Sequence, residues 1–322
     1  MPRNESIRVL HHRGYTIESV HRVSLAVADS TGVLVRKWGD VIRSRLFRSA
    51  AKPLQLVPLF TYGTVDRWDV SDEELAVMAG SHGGEDMHLA VLGGLARRLD
   101  ITEEELLCGA RRPLSGKARA QLVARGERPT AFHHPCSGKH LAMLLLCRDQ
   151  GWSITDYLNE AHPVQRSMDK AIAGLCQVPE GEMTRAIDGC GAPVHGVPLT
   201  TMAQTYIRLA RGDHGTGRLT GAMFRHADLV GGEGWLVSRL LRAGQGSWLA
   251  KDGAEALFCL GGPWGGLALQ VEDGGERAVA PALLTVLTEL DWPLEFEGWE
   301  GIMTPRILDT RGQVVGKVTV EL

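Results

Sequence analysis

A surplus of positive charge is the first thing this sequence lacks: 35 lysines and arginines face 38 aspartates and glutamates, leaving a net charge of −3 over 322 residues. The charges are interspersed rather than gathered into tails, so nucleic acid is not an expected partner. Long apolar runs are missing too. The most apolar internal window, Leu141–Cys147, is far too short to span a bilayer, and Met1–Leu10 carries Arg, Asn and Glu without an apolar stretch. A soluble, cytoplasmic protein without a membrane partner is therefore expected. No low-complexity segment interrupts the chain. Cysteine is sparse, and six residues scattered through a large chain with no export signal argue for reduced thiols rather than a disulfide framework. Cys108, Cys147, Cys176 and Cys259 sit in apolar company and read as small core residues. Cys136 and Cys190 lie in segments rich in Gly, His and Pro and need another explanation.

What is present is ample core material, 44% hydrophobic residues, and 39 glycines that often come in pairs, such as Gly83-Gly84 and Gly261-Gly262. Paired glycines suggest tight turns and close backbone approaches. An alternating run Arg22–Ala28, the turn Asp29-Ser30-Thr31-Gly32 and a β-rich run Val33–Trp38 predict a hairpin. From Ser49 to about Leu249 the periodicity becomes helical, with helix starts at the capping patterns Ser71-x-x-Glu74 and Thr102-x-x-Glu105, and with helices over 85–99 and 139–148. Strand character returns at 255–260 and 266–271. A helix over 278–290 then precedes a hairpin around Asp309-Thr310-Arg311-Gly312, whose likeness to the first Asp-x-x-Gly turn is explained by turn chemistry alone. Strands at both ends with helices between them predict an α/β protein in two lobes. Residues 1–48 and 250–322 would build one antiparallel sheet, with a mostly helical lobe, 49–249, inserted into it and the active site between them.

Chemistry concentrates at few places. Arg48-Ser49-Ala50-Ala51-Lys52-Pro53 puts a hydroxyl and an amine three residues apart, on one face of a helix whose start Pro53 fixes. An amine kept neutral by burial can take the hydroxyl proton, although a serine N-cap beside a solvated lysine gives the same pattern. A second serine, Ser81, lies in the loop Gly80-Ser81-His82-Gly83-Gly84-Glu85 between two helices, where it could simply end one of them. Lys251, in Lys251-Asp252-Gly253, stands at the lip of a strand and reads either as an edge charge or as a second amine. A Ser-x-x-Lys helix, a loop serine and a Lys-x-Gly strand converge in serine acyl-transferring enzymes, which makes the three together more specific than any one. The segment His133-His134-Pro135-Cys136-Ser137-Gly138-Lys139-His140 and the distant Asp188-Gly189-Cys190-Gly191 offer two thiols that could share a soft metal ion with a histidine, a carboxylate or water, or that are ordinary buried cysteines. A third reading makes Cys136 a nucleophile with His140 as its base.

These motifs, together with Glu18-Ser19-Val20-His21 and Lys251-Asp252-Gly253-Ala254-Glu255, make nearly the whole chain resemble the bacterial asparaginase II family, the rhizobial type of L-asparaginase. The resemblance implies a serine β-lactamase/penicillin-binding-protein-like fold, a homodimer, and hydrolysis of L-asparagine to L-aspartate and ammonia by two Ser-Lys pairs, Ser49 with Lys52 and Ser81 with Lys251. Ser49 is the favoured nucleophile. It also implies a zinc ion on Cys136, Lys139 and Cys190, positioning substrate rather than activating water. Arg48 and Asp188 are the candidates for holding the substrate's carboxylate and α-amino group, or for bracing loops as an internal ion pair. His82 and His140 receive no catalytic role. The chain departs from the pattern at Gly253-Ala254-Glu255-Ala256, where a second glycine is expected, and at Gln270, where a strand lysine is expected. The other readings are a glutaminase, a penicillin-interacting enzyme, or a non-catalytic relative that binds zinc or an amino acid.

Overall fold

The computed structural model describes residues 5–292 and 298–322. Its main sheet is antiparallel and draws on both ends of the chain, from β1 (Ile7–Arg13), β2 (Thr16–Asp29) and β3 (Leu34–Trp38) through β7 (Leu249–Gly253), β8 (Leu257–Gly262) and β9 (Gly265–Val271) to β10 (Arg306–Leu308) and β11 (Val314–Glu321). The strand order is β10-β11-β1-β2-β9-β8-β7, with β3 paired to the far half of β2. β4 (Ser44–Leu46), β5 (Thr184–Ile187) and β6 (Pro193–Pro198) form a separate three-stranded sheet. Two strands thus lie within the stretch read as helical.

The predicted hairpin is present. Its turn is tied by the Asp29 carboxylate, which accepts from the amides of Thr31 at 2.8 Å and Val33 at 3.1 Å. Asp309 does the same for Arg311 and Gln313, each at 2.9 Å, so the two turns share one Asx chemistry. β1 is absent from the sequence reading, because Arg8, His11 and His12 break its apolar alternation; its pairing with β11 and β2 supplies what the pattern does not. The capping box at Ser71 is complete. At Thr102 only half of one forms, the Thr102 amide donating to Glu105 at 2.7 Å, and no helix follows.

The helix Leu199–Ala210 lies on the sheet close enough that a Cβ on Gly261 would sit 2.2 Å from the Tyr206 carbonyl oxygen. Glycine at that position therefore sets how closely the helix packs. One apolar core runs continuously from strand residues such as Val23 and Leu269 to helix residues such as Leu75 and Leu144. No helix among the described residues is long and apolar enough to cross a membrane.

Lys251 lies inside β7, paired with Cys259, rather than at the lip of the next strand. The connection to β8 turns through Glu255 and Ala256, both left-handed at φ +62° and +53°. Side chains disfavour that region by about 1–2 kcal/mol and glycine does not, which is the physical content of the missing second glycine. Ala256→Gly is expected to raise stability by about 0.5–1 kcal/mol after glycine's extra unfolded-state entropy is subtracted, measurable by urea unfolding.

Candidate active site

The segment carrying Ser49 is held from two directions. The Phe47 amide donates to the His195 carbonyl on β6 at 2.8 Å, and the buried Tyr206 hydroxyl donates to the Ala50 carbonyl at 2.7 Å. Residues 48–51 form a 3₁₀ turn before the short helix Lys52–Gln55. Pro53 has no N–H with which to reach back to Ser49, so the Lys52 amide takes the Ser49 carbonyl instead, tightening the turn. Arg48 stands at φ +49°, a left-handed conformation immediately before the serine.

Lys52 is 1% exposed and Lys251 is 0% exposed. Lys52 Nζ donates to the carbonyls of Gly80 at 2.6 Å and Pro135 at 2.7 Å, and to Ser81 Oγ at 3.1 Å. Lys251 Nζ reaches the same Ser81 Oγ at 2.9 Å and also bonds the Asp252 carbonyl and carboxylate. Ser81, rather than Ser49, is therefore the hydroxyl that both amines hold. The Ser49–Lys52 hydrogen bond expected from the spacing is not made, because two carbonyls and Ser81 occupy all three of the ammonium's donors. Among the described residues the Ser49 hydroxyl has no hydrogen-bond partner. The Ser81 loop is itself fixed, its amide donating to the Val230 carbonyl at 2.7 Å. A Cβ on Gly80 would lie 2.6 Å from that carbonyl oxygen.

Burial, and next to it the neighbouring Lys52, hold Lys251 below the ordinary lysine value against the opposing pull of Asp252. Gln270 takes no part. It donates to the Glu255 carbonyl at 3.2 Å, bracing the β7–β8 turn.

Both serines face a cavity of about 180 Å³. Arg48, Asp188, Cys136 and Cys190 line the same space, so loops far apart in sequence converge there. Arg48 Nε donates to Asp188 at 2.8 Å; the two residues proposed to hold a substrate's head group are also bonded to each other.

Lys139 Nζ lies 3.2 Å from Cys190 Sγ. A tetrahedral zinc ion with ordinary Zn–S and Zn–N lengths separates its sulfur and nitrogen ligands by about 3.5 Å, so the pair is within a few tenths of an ångström of what such an ion needs. The Cys136 thiol is pushed well below its ordinary value, first by its hydrogen bond with Cys190 and then, against desolvation, by Lys52, His134 and Lys139; Cys190 is pushed up correspondingly. Lys139 is raised because the two sulfurs and Asp188 outweigh its burial. The remaining cysteines behave as core: burial lifts Cys108 and Cys147 to about 12 and Cys176 to about 11. Two sulfurs and an amine thus meet beside the cavity, while among the described residues no group of three His, Cys, Asp or Glu side chains could hold a metal ion.

His82 and His140 are braces. His82 bonds Ser137 at 2.9 Å and the Gly84 amide at 3.2 Å, and His140 bonds Tyr157 at 2.7 Å. Burial holds both well below the usual histidine value. Sequence reasoning passed over Arg111, Leu114, Asp252 and Glu276, which also line the cavity. Of these only Asp252, beside Lys251, carried a usable signal; the others arrive on loops that tertiary packing places.

The family model of L-asparaginase II matches residues 9–320 of the chain. No curated protein matches it. Among solved structures, a LovD6 mutant of simvastatin synthase (LovD) from Aspergillus terreus is similar at 14% identity, covering 77% of this chain and 86% of that one with a TM-score of 0.35. Asp188→Ala, which leaves the partly buried Arg48 guanidinium with only its 3.8 Å ion pair to exposed Glu255, is expected to cost about 1–3 kcal/mol in urea unfolding.

Proposed function

We propose, because the chain belongs to the L-asparaginase II family, that it hydrolyses L-asparagine to L-aspartate and ammonia through an acyl-serine intermediate. The observation that carries this reading is the pair of buried amines joined through one serine hydroxyl at the wall of a small cavity onto which a second serine, Ser49, opens. A serine β-lactamase-like fold, a homodimer and a cytoplasmic location accompany the reading.

Two ammonium groups sharing one buried hydroxyl repel each other, and burial favours releasing a proton from Lys251. The Ser81 hydroxyl then donates to neutral Lys251 while accepting from Lys52. Shifting one proton along Lys52–Ser81–Lys251 moves the free lone pair to Lys52, which gives up its bond to Ser81 to reach Ser49. Ser49 attacks the side-chain amide carbon as Lys52 takes its proton, and the relay returns a proton to the departing nitrogen. Water, activated by the same amine, cleaves the ester. Arg48 and Asp188 supply opposite charges for the α-carboxylate and α-amino group.

Zinc is the cofactor this reading includes, held by Cys136, Lys139 and Cys190. When bound, it supplies positive charge that keeps the Lys139 amine deprotonated and draws the substrate's head group.

Ser49→Ala is expected to lower kcat by at least about a thousandfold with the circular dichroism spectrum unchanged, and mass spectrometry of acid-quenched enzyme should place an aspartyl adduct on Ser49. An adduct on Ser81 would reverse the two serines. A parallel ammonia assay with L-glutamine and a colour-change assay with a chromogenic β-lactam define the preference. Because neutral Lys251 is the active form, kcat/KM should rise from acidic to alkaline pH and fall as Lys251 is protonated; the pH profile of Lys251→Arg should lose that rise along with most activity. Metal analysis should find about one zinc per chain, lost in Cys136→Ala and Cys190→Ala, and a metal content unchanged in both variants would remove the site from the reading.

A further inference from the structure

Hydrolysis of free asparagine leaves one large feature of the active-site region unused. A second cavity, about 470 Å³, adjoins the first, and four residues, Leu114, Asp252, Gly253 and Glu276, line both. Beyond that polar junction its walls are apolar: Trp235, Leu236, Val237, Leu257, Phe258 and Val279. The Trp235 ring lies 3.4 Å from where a Cβ on Gly83 would sit, which sets this wall beside the loop bearing Ser81. Ammonia needs no such space.

The lining residues also give the second cavity a direction. Arg48, Asp188, Cys136 and Cys190, the proposed head-group and metal residues, line only the small cavity. A substrate whose head group lies at that end, with its amide carbon at the serines, turns its leaving nitrogen toward the shared wall and the apolar space behind it.

We infer that the enzyme accepts L-asparagine derivatives carrying an apolar alkyl or aryl group on the side-chain amide nitrogen, with that group seated in the larger cavity. This rests on the amidohydrolase reading above. In the reaction the serine oxygen–carbon bond forms, the carbon–nitrogen bond breaks, and the amine departs with a proton from the lysine relay. Water then cleaves the ester to release L-aspartate, so one water is consumed per amide and no redox partner is needed.

The n-alkyl β-amides of L-aspartate, from methyl to butyl, test this directly. Their leaving amines are of nearly equal basicity, so a trend across the series reports binding of the chain. With the native enzyme, kcat/KM is expected to rise about threefold to fourfold per added methylene. Leu236→Trp and Val279→Phe, which fill the apolar space from two different elements, should lower kcat/KM for the butylamide at least tenfold and leave that for L-asparagine within twofold. L-Asparagine turnover with no gain from methylamide to butylamide would overturn the apolar subsite while sparing the amidohydrolase reading. So would a butylamide rate unchanged in both filled variants. Absence of turnover on every amide, L-asparagine included, would overturn both.

Discussion

Two lysine amines buried against one hydroxyl are the constraint on which the rest of this structure depends. Each amine is removed from water, and a buried charge without partners is too costly to keep. The fold therefore brings acceptors to them: the Gly80 and Pro135 carbonyls for Lys52, Asp252 for Lys251, and Ser81 Oγ for both. Those acceptors come from three separate stretches of chain. Satisfying the amines thus fixes the Ser49 helix, the Ser81 loop, the segment before Cys136 and strand β7 relative to one another.

The scaffold around that knot explains its position. β7 is the edge strand of the main sheet, and Lys251 enters the site from its buried side. The helix Ser137–Gln150 begins beside Pro135, so the residue that anchors Lys52 also leads into the Cys136 and Lys139 positions. One set of contacts therefore couples the amine pair to the thiol pair, and the Coulombic pull of Lys52 and Lys139 on Cys136 is a direct expression of that proximity.

Much of this was legible in the chain. Asp-x-x-Gly turns read as turns because an Asx carboxylate bonds nearby amides whatever the rest of the fold does. Ser71-x-x-Glu74 read as a helix start for the same local reason, yet Thr102-x-x-Glu105 shows the limit: capping groups can pair without a helix following, even with the buried Leu106 just behind them. β1 went unread because its stability lies in ladders to β2 and β11, one of them to the far end of the chain.

Chain order alone sets which chemical groups are available and which are near each other along the chain: Ser49 with Lys52, Lys251 with Asp252, Cys136 with Lys139. It also determined that strands from both termini enclose a helical insertion, since periodicity is a local property. Which hydroxyl the amines hold follows from packing. Spacing put Lys52 beside Ser49, but a long flexible side chain goes where its three donors are best satisfied, and once buried those acceptors were Gly80, Pro135 and Ser81. The same packing paired Arg48 with Asp188, 140 positions apart, and set an apolar cavity against the polar one. None of these contacts lies within a few residues in the chain, so no local pattern encodes them.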